Sequence, residues 1–155
     1  EISCSLVGSE MCIRDRLERK LVLASHGKLA SGMNSSLRLI CGETTPIETL
    51  DCYLTEDFDL EKAVSEIMER HRDHELVVVT DLFGGSVNNE FLAHINRADF
   101  YLVAGMNLPF LVEFAMQFQL VDSLSKLIET TLTTAKQSIQ FCNQLISSEI
   151  EEEDF

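Results

Sequence analysis

A doubly wound α/β fold, with a mainly parallel sheet, helices on both faces and a single domain, is what this sequence predicts, on three observations. Short apolar runs of strand length alternate with longer segments of helical period. One run, Leu76–Thr80, is apolar at almost every position, the pattern of a parallel strand covered on both faces. Two of the runs stop at a single ionisable residue close to glycine: Lys20–Ser25 runs into His26-Gly27, and Glu75–Thr80 runs into Asp81-Leu-Phe-Gly84-Gly85-Ser86. In an open α/β sheet, ligands and chemistry collect at the carboxyl ends of the strands, so the same feature that marks the fold proposes a site.

Taken in order, strand one is expected over 20–25. A helix over 29–41 follows, with Leu29, Met33, Leu37 and Ile40 at helical spacing. Thr44-Thr45-Pro46 breaks it, and 47–54 reads as strand two. Residues 57–72 form an amphipathic helix, because Leu60, Ala63, Val64, Ile67 and Met68 share a face. Strand three covers 76–80, a short helix 87–96 and strand four 99–104. Gly105–Pro109 is a turn, with Pro109 near the start of the next helix, where its missing N–H is not needed. A long helical stretch is expected over 122–147. Repeated β-α-β units of this kind imply parallel strands with right-handed crossovers.

The organisation expected is a domain over 17–147 between two flanks. Residues 1–16 show neither period, and the domain reads as complete without them. They are read as a non-native or disordered extension, with a native N-terminal extension as the alternative. Residues 148–155 are read as an acidic tail, since five of the six positions Glu149–Asp154 are acids.

Composition excludes several classes. At 155 residues and 45% hydrophobic, with mean hydropathy +0.06, the chain can bury a core. No apolar run approaches the roughly 20 residues that span a bilayer, and a secretory leader is absent from the expectation. A net charge of −14 argues against nucleic acid, which needs a basic footprint. The five cysteines (Cys4, Cys12, Cys41, Cys52, Cys142) form no CxxC pair and are read as reduced small hydrophobes of a cytoplasmic protein. No Cys/His spacing points to zinc, and no metal or cofactor is expected. Motifs for nucleotide hydrolysis by a P-loop, dinucleotide binding or a serine elbow are missing.

His26 and Asp81 are the residues expected to carry chemistry. An imidazole both attacks and leaves phosphorus readily near neutral pH, and at this position it faces the start of the following helix, where amides and dipole favour an anion. A histidine here could equally be structural. Asp81 could orient the imidazole by accepting a hydrogen bond from one ring nitrogen, or it could simply cap a turn. Gly84-Gly85-Ser86 lets the backbone approach a ligand closely, with Ser86 as hydroxyl donor or helix cap. Asn89 is expected to cap or face solvent. Phe83 is either a contact for a partner or a core residue. His71 and His74 are expected at a helix end, where the dipole accounts for them, and His94 is expected to be partly buried.

Three segments in order, LVLASHG, DLFGGSVNNEF and YLVAGMNLPFLVE, resemble the IIA domain of the mannose/fructose/sorbose family of the bacterial sugar phosphotransferase system, over about residues 20–146. The resemblance implies that His26 is phosphorylated by the phosphocarrier protein HPr and passes the phosphoryl group to a IIB component, which serves sugar entering through membrane IIC and IID components. It implies that Asp81 hydrogen-bonds the active histidine, and that Ser25 and Ser86 lie near the phosphate. Ser25, Gly27, Gly84, Gly85 and Ser86 are taken as the phosphate-binding set. A doubly wound fold and a homodimer, in some members made by exchange of an edge strand, are implied as well. One departure stands out: the family usually has proline after GGS, and here position 87 is Val, which restores an N–H to the first helical turn. Two other readings remain open, a phosphotransferase subunit serving dihydroxyacetone kinase and a non-catalytic flavodoxin-like binding or regulatory module.

Overall fold

The computed structural model describes residues 16–43 and 45–153. Four strands, β1 (Arg19–His26), β2 (Ile47–Cys52), β3 (Glu75–Thr80) and β4 (Phe100–Ala104), form one sheet in the order β2-β1-β3-β4, and every pairing is parallel. Among the described residues six helices follow in chain order: α1 (Leu29–Cys41), α2 (Leu60–Arg70), α3 (Ser86–Leu92), α4 (Leu108–Gln117), α5 (Leu124–Gln137) and α6 (Cys142–Glu153). The expected α/β class is therefore the observed one. The chain divides into two compact units, one ending at Met106 and carrying the whole sheet, the other starting at Asn107 and wholly helical.

The sheet order locates the functional edge. The chain steps from β1 outward to β2, then crosses back over β1 to β3 and continues to β4. Parallel crossovers are right-handed, so α1 lies on one face and α2 and α3 on the other. The direction reverses between β1 and β3, and this switch point is where the strand ends open a crevice. Register fixes what meets there: His26 pairs with Cys52, and Ala24 with Thr80. His26, Tyr53 and Asp81 thus leave adjacent strands at one edge.

The strands hold this edge because burial specifies their register. Side chains alternate across a strand, and both faces of β1 and β3 are apolar: Leu21, Val22, Leu23, Leu76, Val77, Val78 and Val79 are all buried. On the α2/α3 face, Val22, Ala24, Leu76 and Val78 pack with Val64, Ile67, Met68, Val87, Phe91 and Phe100. A one-residue slip would exchange the two faces of a strand and break every one of these contacts. At the opposite end of the same strands, the buried Arg19 guanidinium donates to Glu75 at 2.7 Å.

Helix starts are capped as their sequences allow. Asp59 accepts from the Lys62 amide at the start of α2, and Asn107 from the Phe110 amide at the start of α4, where Pro109 occupies the first turn. In the helical unit, Phe110, Phe114 and Phe118 stack at i, i+4 spacing with centroids 5.3 and 5.4 Å apart. Leu124, Leu127 and Ala135 form the buried stripe of α5.

Two expectations change. The single helix over 122–147 is two helices, α5 and α6, separated at Ser138–Phe141; the Ser138 hydroxyl and amide both turn back to the Ala135 carbonyl and close α5. Strand two ends at Cys52 rather than at 54, because Tyr53 takes a left-handed backbone with φ 63°. The acidic stretch read as a tail has helical backbone as far as Glu153. The reading of residues 1–16 falls, save for Arg16, outside the described residues.

Phe91 is fully buried on the inner face of α3, directly behind the loop that carries the site. Phe91→Ala is expected to destabilise the protein by about 3–5 kcal/mol, the cost of a large buried cavity. A urea titration measures it, and a loss below about 1 kcal/mol would contradict the packing described.

Candidate functional site

His26 is the last residue of β1, and its imidazole is held on four sides. Asp81 Oδ2 accepts from the His26 backbone amide at 2.8 Å and lies 2.8 Å from the ring Nδ1. The Ser86 hydroxyl lies 3.1 Å from the other ring nitrogen, Nε2. The Tyr53 ring stacks on the imidazole at 5.4 Å with 26° between planes. Gly85 approaches the ring edge closely: a Cβ there would lie 3.3 Å from His26 Cε1 and 3.3 Å from the Leu82 carbonyl, so a side chain would make the ring or the loop give by a few tenths of an ångström. The imidazole remains 44% exposed.

The protonation pattern follows from Asp81. Burial raises the pKa of Asp81, but hydrogen bonds from the His26 amide and imidazole, the neighbouring His26 charge and the Leu82 amide outweigh it and hold the carboxyl below the usual aspartate value. The ionised carboxylate can only accept. Nδ1 therefore donates, and the neutral ring presents a lone pair at Nε2. The Ser86 hydroxyl then donates to Nε2, and the Tyr53 hydroxyl, 2.9 Å from Ser86 Oγ, donates to Ser86. The arrangement offers an oriented nitrogen nucleophile on a half-exposed ring, met by the Ser86 hydroxyl with the Tyr53 hydroxyl behind it.

The loop that carries Ser86 is anchored from below. Buried Asn88 donates to Thr80 Oγ1 at 2.9 Å and accepts from the Gly84 amide at 3.3 Å, tying the start of α3 to the end of β3. Asn89, expected to cap or face solvent, is exposed and donates to the Gly84 carbonyl at 3.0 Å. Gly84 has φ 77°, a conformation that costs other residues energy. Val87, where proline is usual in the resembled family, is fully buried in the core, and the loop closes with it in place.

The sequence-predicted residues fall into two groups. His26, Asp81, Gly85 and Ser86 converge on the imidazole. Ser25 and Gly27 lie beneath it: Ser25 is buried, donates to the Gly27 carbonyl at 3.2 Å and accepts from the Ala30 amide at 2.7 Å, while the Gly27 amide donates to the Cys52 carbonyl at 2.8 Å. Gly84 contributes loop conformation.

Two expectations are corrected. Two of the amides at the start of α1 are taken by side chains rather than left open for an anion. Ser25 takes the Ala30 amide, and Asp51 takes the Ser31 amide at 3.0 Å and the Ser31 hydroxyl at 2.6 Å. His71 also differs: it is buried and bonded to Glu48 at 2.5 Å and to His74 at 2.9 Å rather than serving only a helix end. His94 is half-buried.

Tyr53, Leu54 and Leu82 were missed from the sequence. Tyr53 follows β2, but the sequence reads strand two as continuing to 54, so only its left-handed backbone at φ 63° marks it as a strand-end residue. Phe83 is 79% exposed beside the site, with Leu82 and Leu54 also exposed. Phe83 is thus a surface residue and not part of the core. Cys52 is buried below, its thiol pushed up to about 11 by burial and by the Asp81 and Asp51 carboxylates, against a lowering backbone hydrogen bond at Ser25. It is a protonated packing residue. Among the described residues, no cluster of His, Cys, Asp or Glu could hold a metal ion, and no helix is long and apolar enough to cross a membrane.

Fold and site together define a small α/β protein with an oriented histidine at its sheet switch point. A family model described as the fructose IIA component of the phosphotransferase system matches residues 20–132, and the chain belongs to that family. Among solved structures it is similar to a Klebsiella pneumoniae protein described as a phosphoenolpyruvate-dependent sugar phosphotransferase system permease, with 41% identity over 85% of this chain and 96% of that one, at TM-score 0.80. It is similar to the fucose-utilization-operon IIA protein of Streptococcus pneumoniae, with 27% identity over 84% and 98% of the two chains, at TM-score 0.69. The mannose/sorbose-specific IIA subunit of Enterococcus faecalis shares the fold, with 22% identity over 81% and 95%, at TM-score 0.71. No curated protein matches.

The depressed Asp81 pKa makes stability depend on pH in a defined sense. The contribution is fully present above the unfolded aspartate value of about 4 and is lost as pH falls through the lower folded-state value. The difference in unfolding free energy between the wild type and Asp81→Asn should be largest between about pH 5 and 7 and should shrink on acidification. A difference that is independent of pH from 7 down to 2 would contradict the assignment.

Proposed function

We propose that this chain is a phosphohistidine carrier of a sugar phosphotransferase system, accepting a phosphoryl group from HPr at His26 and passing it to a IIB component for sugar uptake. The observation that carries this reading is the double hydrogen bond of Asp81 to His26, which commits Nδ1 as a donor and leaves the lone pair on Nε2, where the Ser86 hydroxyl meets it. Membership of the IIA family supports it.

The chemistry needs no cofactor. The Nε2 lone pair forms the new N–P bond as the N–P bond of the donor imidazole breaks, and that electron pair returns to the donor nitrogen. No proton has to move. The ring of phosphorylated His26 carries positive charge while Nδ1 keeps its proton, and the Asp81 carboxylate balances that charge at hydrogen-bond distance. In the reverse sense the same contact lets the ring leave again when IIB presents its own histidine. Positioning and charge stabilisation do the rest, as in phosphoryl transfer generally. Ser86 and the loop at Gly85 flank the transferring group, whereas Ser25 and Gly27 support the site through the backbone.

HPr and IIB must each bring a histidine to the same nitrogen in turn. An open edge with an apolar rim of Phe83, Leu82 and Leu54 suits transient docking of two different partners. The phosphoryl group would come ultimately from phosphoenolpyruvate in the cytoplasm, with the membrane IIC and IID components served indirectly. A homodimer, implied by the resemblance, belongs to the same proposal. The kinase-subunit and binding-module readings have no observation in their favour over this one.

Incubation with phosphoenolpyruvate, enzyme I and HPr should add one acid-labile, base-stable phosphate to the wild type and none to His26→Ala. An unlabelled wild type, or full labelling of His26→Ala, would sink the carrier reading. Asp81→Ala should remain folded and slow the transfer by two orders of magnitude or so, about the effect of removing an orienting or charge-stabilising contact.

A further inference from the structure

We propose that Tyr53 is a positioning residue of this site, acting through Ser86 to set the hydroxyl pair that first guards Nε2 and then holds the phosphoryl group. The inference rests on His26 being the phosphoryl carrier and goes beyond it, because it assigns a role to a residue that neither the strand-end motifs nor the glycine loop contains.

Three separate features of Tyr53 point the same way. The first is its place in the fold. It follows β2, yet its hydroxyl bonds Ser86, which follows β3, so the side chain reaches over His26 at the end of the intervening β1. It bridges three neighbouring strand ends and covers one face of the imidazole on the way. The second is its backbone. Tyr53 has φ 63°, a left-handed conformation that is costly for a residue with a bulky side chain. That conformation ends β2 and aims the ring back across the sheet edge. The third is its support. Phe58 packs edge-on against the phenol at 5.3 Å, so the ring is braced by a second aromatic side chain although it is itself 46% exposed.

The direction of the hydrogen bonds gives the hydroxyls their function. In the unphosphorylated site the chain runs from the Tyr53 hydroxyl to Ser86 Oγ and from the Ser86 hydroxyl to Nε2. Nε2 is thus hydrogen-bonded rather than bare, and Tyr53 satisfies the Ser86 oxygen that would otherwise accept from water or compete for another donor. When the N–P bond forms, the Nε2 lone pair is consumed and Ser86 loses its acceptor. Its proton then turns to the nearest phosphoryl oxygen, and Tyr53 continues to hold the Ser86 oxygen in place. Both protons stay on their own oxygens throughout, so atoms and charge balance without a further acid or base. A neutral donor held toward a dianionic group gives a charge-assisted hydrogen bond, stronger than a neutral one.

Tyr53→Phe keeps the ring that stacks on His26 and removes only the hydroxyl. Ser86→Ala removes the group through which that hydroxyl is proposed to act. Each protein is phosphorylated through phosphoenolpyruvate, enzyme I and HPr, freed of donors, and followed by phosphorus NMR for the lifetime of its phosphohistidine and for the rate of return to unphosphorylated HPr. Tyr53→Phe should change the phosphohistidine lifetime about tenfold, the factor carried by one good hydrogen bond, with the thermal midpoint of the protein unchanged. Ser86→Ala should change it at least as much, and the double variant should match Ser86→Ala alone, because residues acting in series are not additive. A Tyr53→Phe lifetime equal to the wild type, or effects of the two substitutions that multiply, would overturn the role of Tyr53 while leaving the carrier reading intact. A wild type that takes no label at all would overturn the carrier reading, and this inference with it.

Discussion

The structure around the switch point depends on one carboxylate. Asp81 accepts from both the backbone amide and the imidazole of His26, at 2.8 Å each, and so fixes the end of β1, the orientation of the ring and the position of its proton together. Remove that acceptor and the amide of an exposed strand end loses its partner, the ring is free to rotate, and either nitrogen can carry the hydrogen. The same donors hold its pKa below the usual aspartate value. The interaction is thus mutual: His26 favours the ionised form of Asp81, and ionised Asp81 keeps His26 in one tautomer.

Everything that brings the two residues together is ordinary packing. β1 and β3 are neighbours in register because both of their faces are apolar and buried, so a slip of one residue is prohibitively costly. The loop after β3 is pinned by buried Asn88 reaching Thr80, which places Gly85 against the ring edge and Ser86 at Nε2. The precision of the site is borrowed from the core, while the chemistry is left at an exposed, apolar-rimmed edge that other proteins can reach.

Much of this was legible in the sequence, and the reasons are specific. The uninterrupted apolar run at Leu76–Val79 announced a buried parallel strand, and two such runs ending in His26 and Asp81 placed those residues at one edge. Gly85 and Ser86 followed from the same motif. Tyr53 was not legible, because Tyr-Leu after an apolar-polar alternation reads as more strand; only the backbone angle of φ 63° turns it into a site residue. The break between α5 and α6 lacks proline or glycine, so Ser138–Phe141 looked continuous. The burial of His71 depends on Glu48, a partner 23 residues away on β2, and the capping of α1 depends on Asp51 at the end of that strand; neither contact has a local signature. The substitution Val87 in place of the usual proline was the weakest point of the motif, and the side chain there is buried in the core.

The claim on which all of this turns is that Asp81 holds the proton of His26 on Nδ1. Nitrogen-15 NMR of histidine-labelled, unphosphorylated protein at alkaline pH reads the state of each ring nitrogen directly. The expected spectrum has a protonated Nδ1 and an unprotonated, hydrogen-bonded Nε2 for His26, and this signature collapses to a mixture in Asp81→Asn. A wild-type spectrum with the proton on Nε2, or with the two nitrogens averaged, would contradict it.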